Sequence, residues 1–120
     1  MTEENIKAAE LEVLKLSGLP LEQIEQKEVF IYSFDGKPVF IHTVICGDKN
    51  KPTLVLIHGW GGSGALFFKI IKSLCKYFCL IFIDILGMGS SSRPKDFNHQ
   101  NINEQECADY FSDSIEKWRV

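Results

Sequence analysis

The stretch Thr53–Gly64, TLVLIHGWGGSG, constrains this chain more than any other. Leu54, Val55, Leu56 and Ile57 form an unbroken apolar run that passes directly into His58 and glycines at 59, 61, 62 and 64. An apolar run without alternation, bounded by turn residues, predicts a strand buried on both faces, as in the middle of a parallel sheet. Glycines straight after such a strand let the backbone turn sharply and bring bare N–H groups close to an anion. Two chemistries use that arrangement: an oxyanion hole for acyl transfer and a phosphate-binding turn for a dinucleotide.

The rest of the chain supplies the elements around this strand. Ile6, Ala9, Val13 and Leu16 recur at helical spacing, with Glu3, Lys7, Glu10 and Lys15 at polar positions, and predict an amphipathic helix from Thr2 to Gly18, stopped by Gly18 and Pro20. Residues 1–27 then read as this helix with its linker, and 28–120 as one domain. Glu28–Phe34 and Val39–Cys46 are rich in β-branched and aromatic residues around the turn Asp35-Gly36-Lys37-Pro38, which predicts an antiparallel hairpin. After the glycine loop, Phe67, Ile70, Ile71 and Leu74 mark one face of a helix, and Cys79–Ile83 is a second apolar strand ending in Asp84. Strand, helix and strand make a βαβ unit with parallel strands. Gly87 to Asn101 reads as loop, and Asn103-x-x-Glu106 has capping-box spacing before a helical face of Cys107, Phe111, Ile115 and Trp118.

Composition narrows the classes. The net charge is −3, from 13 basic and 16 acidic residues, and the basic residues form no dense run. That argues against a nucleic-acid partner and offers no polybasic tract. No apolar run approaches the ~18 residues that span a bilayer, and Glu3 and Glu4 stand where a signal peptide would be basic. The expectation is a cytoplasmic protein, or one peripheral to lipid droplets or internal membranes. Cys46, Cys75, Cys79 and Cys107 are scattered singly and read as reduced, buried thiols, with neither a metal nor a cofactor site.

Gly59, Gly61 and Gly64 satisfy G-x-G-x-x-G, and Asp84 stands 20 residues past Gly64, where a dinucleotide fold places the acid for the ribose. Against this, a hairpin precedes the strand, a histidine precedes Gly59, and Asp84 opens a second glycine turn, Asp84-x-x-Gly87-x-Gly89-x-Ser91. With His58-Gly59-Trp60-Gly61 on the first strand and this motif on the next, the chain resembles the α/β-hydrolase fold enzymes. GMGSSSRP and FSDSIEKWR are similar to one subfamily, which holds the coactivator of adipose triglyceride lipase and lipases of N-acyl-phosphatidylethanolamines and lysophospholipids. The resemblance runs from Glu28 to the C-terminus and implies an incomplete α/β-hydrolase sheet: an antiparallel hairpin, then a parallel βαβ, between an N-terminal and a C-terminal helix.

By position, the resemblance implies that the backbone N–H of Trp60 is one oxyanion-hole donor, that His58, Gly59, Gly61 and Gly62 shape its turn, and that Asp84, Gly87, Gly89 and Ser91 form a structural turn which Asp84 caps. It implies an acyl-lipid substrate, hydrolysis of an ester or amide bond, and a lipase or lipid-droplet protein as partner. A nucleophile elbow G-x-S-x-G, an acid and a catalytic histidine are not found in these residues. Ser63 comes within one residue of the elbow pattern but has no base to activate it. Ser90, Ser91 and Ser92 are expected to hydrogen-bond their turn shut, while His42 and His99 read as structural. Phe67 and Phe68 are expected in the core, or lining an acyl pocket. The expectation is therefore an N-terminal hydrolase fragment, not catalytic by itself. The alternative is a non-catalytic lipase coactivator or lipid-droplet adaptor, with dinucleotide binding more remote.

Overall fold

The computed structural model describes residues 2–97 and 100–120, so His99 lies outside the described residues. Its helices are α1 (Glu3–Lys15), α2 (Phe68–Leu74) and α3 (Glu104–Arg119), and its strands are β1 (Ile24–Phe34), β2 (Lys37–Cys46), β3 (Thr53–Ile57) and β4 (Cys79–Ile83). The strands form one sheet in the order β1-β2-β4-β3, antiparallel between β1 and β2 and between β2 and β4, and parallel between β4 and β3. Asp35 and Gly36, both at positive φ (50° and 71°), make the tight hairpin turn, and the two strands extend further than the β-branched runs alone. Tyr32 and Val39 pair after a register shift at Ile31, a bulge in β1.

Two cores lie on opposite faces of the sheet. On one, Val44 and Cys46 of β2 with Leu80 and Phe82 of β4 pack against Leu14, Leu19, Ile71 and Cys75 from the α1 and α2 side. On the other, Val39, Ile41, Ile83 and Leu86 are covered by Phe111, Ile115 and Trp118 of α3, whose indole N–H donates to Thr43 Oγ1 at 2.8 Å. Each fully buried Leu, Ile or Phe here is worth about 1.5–3 kcal/mol relative to exposure. The α3 start is as its sequence predicts: Asn103 Oδ1 accepts from the Glu106 N–H at 2.8 Å. Phe67 and Phe68 both pack against the first core. Cys46, Cys75 and Cys79 are buried free thiols, burial pushing Cys46 up to about 12, whereas Cys107 is half-buried.

Two expectations are corrected. β3 is an edge strand, buried on one face only: Leu54 and Leu56 reach the first core, while Val55 and Ile57 are 39% and 45% exposed. On that face α3 covers Val39 and Ile41 of β2 and Ile83 of β4, and Val55 and Ile57 belong to neither core. The inward face of α1 is also rotated from the predicted stripe. Glu10 and Leu14 are buried, whereas Ala9 and Leu16 are exposed.

That rotation has a polar cause. His42 of β2, 1% exposed, faces Glu10 of α1 through Nε2 at 2.7 Å and Glu28 of β1 through Nδ1 at 2.9 Å. Lys7 pairs with Glu28 at 2.8 Å, and Gln26 donates to Glu10 at 2.8 Å, so a helix face and the hairpin are joined through one imidazole. Burial alone would lower the His42 pKa, but Glu10, Glu28 and the nearby Asp84 more than offset it and raise it above 6.5. Burial likewise opposes the Glu28 charge, but Lys7 and His42 hold that carboxyl below 4.5.

A raised histidine stabilises the fold fully below its unfolded value and loses that stabilisation as pH climbs through the folded one. A lowered carboxyl does the reverse, losing its stabilisation as pH falls. Urea unfolding of the chain should therefore show its highest midpoint between pH 4.5 and 6.5. His42→Gln should flatten the decline on the alkaline side; an unchanged alkaline limb in that variant would refute the assignment.

Candidate functional site

The two glycine turns leave the same end of the sheet, one after β3 and one after β4, and each side chain that closes one turn reaches into the other. His58, 6% exposed, ends the first strand. Its Nδ1 donates to the Gly59 carbonyl at 2.6 Å and its Nε2 accepts from the Ile85 N–H at 3.0 Å. A ring nitrogen facing a carbonyl must carry the proton and one facing an N–H must not, so His58 is the neutral Nδ1–H tautomer. Asp84 answers from the other side. One carboxylate oxygen accepts from the Gly64 N–H at 2.7 Å and the other from the Ser90 N–H at 2.9 Å.

Close packing explains two glycines. A Cβ at Gly64 would lie 2.4 Å from the Phe82 ring, and one at Gly89, where φ is +53°, would lie 2.2 Å from Asp84 Oδ2. Gly61 and Gly87 take positive φ with open space around them.

Ser91 and Ser92 complete the sheet where β4 ends, whereas the Ser90 hydroxyl, also expected to bond the turn shut, is buried without a partner among the described residues. Ser91 Oγ accepts from the His42 N–H at 2.8 Å and donates to the Asp84 carbonyl, and Ser92 Oγ accepts from the Phe40 N–H at 2.9 Å. With Asp84 N–H to the His42 carbonyl and Ser92 N–H to the Phe40 carbonyl, they continue the β2 ladder past the last β4 pair. Arg93 donates to the Gly89 carbonyl at 3.0 Å across the same turn.

Trp60 stands at the head of the first turn and is 93% exposed, so it packs in neither core among the described residues. Among the described residues its N–H meets no acceptor. Ser63 precedes the 3-10 turn Gly64–Phe67, and no hydrogen bond from its hydroxyl is found among the described residues. A cavity of about 560 Å³ lies elsewhere, between the hairpin tip (Phe34, Pro38, Phe40) and Arg93 and Pro94.

Glu10, His42 and Asp84 bring three ligand-type atoms within 4.8 Å of one another. All three side chains are already hydrogen-bonded: Glu10 to His42 and Gln26, Asp84 to Gly64 and Ser90. The same bonds bear on the dinucleotide alternative. Asp84 is 2% exposed with both oxygens occupied, so it cannot reach a ribose, and the Gly64 N–H is turned to Asp84 rather than to a pyrophosphate. No helix among the described residues is long and apolar enough to cross a membrane.

Known proteins are similar to this chain in sequence and fold. The family model described as alpha/beta hydrolase fold matches residues 52–119. A 1-acylglycerol-3-phosphate O-acyltransferase of Arabidopsis thaliana is 44% identical over 81 residues, 67% of this chain and 19% of the relative. The human 1-acylglycerol-3-phosphate O-acyltransferase ABHD5 is 39% identical over 71 residues, 59% of this chain and 19% of the relative. The chain thus spans about a fifth of the length of the curated relatives it matches. Among solved structures, a bacterial membrane phospholipase A superposes with a TM-score of 0.65 over 97% of this chain and 33% of its own, at 17% identity, a likeness of fold. The strand order, the paired glycine turns and the matched family model agree: the chain belongs to the alpha/beta hydrolase fold family.

Proposed function

We propose that these residues form the oxyanion-binding part of a lipid-directed α/β hydrolase, acting on carboxylic-ester or amide bonds of acyl lipids, with the Trp60 N–H as one donor to the acyl oxyanion. The observation that carries this reading is that N–H itself, without an acceptor among the described residues and set in a turn held from both sides by His58 and Asp84. Negative charge develops on the acyl oxygen in the tetrahedral intermediate, and a dipole already fixed in place stabilises it without reorganising. Gly59, Gly61 and Gly62 give the turn its path; Asp84, Gly87, Gly89 and Ser91 hold its support.

His58 is not the base. Its Nε2 lone pair is taken by the Ile85 N–H, leaving nothing to receive a nucleophile's proton. The lipid class is supported by the names of the plant and human relatives, which state transfer of an acyl group to 1-acylglycerol 3-phosphate. Transfer and hydrolysis pass through the same intermediate and differ in whether a lipid hydroxyl or water accepts the acyl group, so one donor serves both. The nucleophile, the acid and the base histidine are supplied by other residues of the polypeptide, and the protein works peripherally at a membrane or droplet surface.

The 120-residue chain should show no turnover of a p-nitrophenyl ester above background. A longer polypeptide that carries the nucleophile, the acid and the base histidine should turn the ester over and become labelled by a fluorophosphonate. A folded longer polypeptide that does neither would favour the adaptor role. Turnover by the 120-residue chain that Ser63→Ala abolishes would overturn the reading of the glycine loop.

A further inference from the structure

Charge is unevenly distributed along this acidic chain. All 16 acidic residues lie outside the stretch from Lys49 to Ile83, which holds five lysines: Lys49, Lys51, Lys69, Lys72 and Lys76. Two of these are engaged, Lys49 with Glu25 at 2.8 Å and Lys51 with the carbonyls of Cys75 and Lys76 at the end of α2. The other three are exposed on α2 and the turn after it, and none is in an ion pair among the described residues. Lys69 stands on the side of α2 opposite Ile71, which is fully buried, Lys72 on its flank with its ammonium beside Gly18, and Lys76 in the turn that follows the helix. Interleaved with them are Leu66, 68% exposed, Ile70, 44%, and Tyr77, 69%.

We propose that this outer face of α2 docks on an anionic phospholipid bilayer, Lys69, Lys72 and Lys76 meeting the headgroup charge while Leu66, Ile70 and Tyr77 enter the interface. The choice of partner rests on chemistry. A cluster of one sign, with no acid within its stretch of chain, complements an anionic surface. Exposed aliphatic and tyrosine side chains between the cations suit an interfacial layer, whereas a nucleic-acid face would offer arginine and polar donors to phosphates and bases. The surface stands apart from the acyl-transfer reading, because binding to a vesicle requires no turnover.

Flotation of the 120-residue chain with lipid vesicles tests it and separates bound protein from aggregate, which sinks. The chain should float with vesicles of phosphatidylcholine and phosphatidylserine and remain below with phosphatidylcholine alone. Binding should weaken about 5-fold for each of Lys69→Gln, Lys72→Gln and Lys76→Gln, and about 100-fold for the three together. Added salt should reduce it, and Ile70→Ser with Tyr77→Ser should weaken it at every salt concentration. Lys27→Gln with Lys37→Gln, exposed lysines of the hairpin, should leave it unchanged, which controls for net charge.

Equal flotation with both vesicle types, or undiminished flotation of the triple variant with an unchanged circular dichroism spectrum, would overturn the proposal. So would binding to duplex DNA that the triple variant loses and the Ile70→Ser/Tyr77→Ser variant keeps, if anionic vesicles fail to bind. Concentration-dependent self-association that Ile70→Ser abolishes, in the absence of flotation, would assign the face to a second copy of the chain instead.

Discussion

Replacing the Trp60 peptide N–H by an ester oxygen, in a polypeptide that carries the rest of the domain, should lower kcat about 10²- to 10³-fold and leave KM near its starting value. The substitution, made with the α-hydroxy analogue of tryptophan, removes one donor and keeps the indole. It isolates the backbone because Trp60 is 93% exposed and its side chain belongs to neither core of the described residues. Trp60→Ala should accordingly change kcat by only a few-fold. Equal, large losses in the two variants would mean that the indole binds substrate and that the backbone donor is not the source of stabilisation. An ester variant with raised KM and unaltered kcat would place the interaction in the ground state and remove the oxyanion assignment.

The second large effect falls on Asp84. Asp84→Ala leaves the buried Gly64 N–H and the part-buried Ser90 N–H without their acceptor, a loss of roughly 2–5 kcal/mol. Asp84→Asn is the sharper test, since it keeps the volume but turns an NH2 toward one of those N–H groups. It should be nearly as destabilising as alanine by urea unfolding. Gly89→Ala should fall in the same range, because its Cβ would meet Asp84 Oδ2 at 2.2 Å in a backbone region that L residues avoid. An asparagine variant as stable as the parent chain would show that the carboxylate does not clasp the turns.

The hairpin, the βαβ unit and the C-terminal helix were legible because each rests on a local signal: Asp35-Gly36 for the turn, alternating and continuous apolar runs for the strands, and Asn103 with Glu106 for the helix start. The one-sided burial of β3 is not legible, because an apolar run reports what a strand can bury, not which neighbours are there to cover it; Val55 and Ile57 are left half-exposed. The inward face of α1 is not legible either, because periodicity weighs Glu10 as a surface residue. Only the pairing of α1 with β1 and β2 reveals His42 waiting for a carboxylate. At the glycine turns the motif spacing marked Asp84 and its loop, but the bond to Gly64 crosses two segments and has no signature in either one.

The clasp between the turns has a bearing on the order in which this protein is built. Its two long-range bonds join residues 20 and 27 positions apart, Gly64 to Asp84 and His58 to Ile85, so the loops they close are short. At about 5–20 residues per second of synthesis, both partners of each bond leave the ribosome within seconds of one another. The Trp60 N–H can thus take up its orientation while the chain is still growing. Any strand that later seats against the outer edge of β3 arrives at a pair of turns already formed.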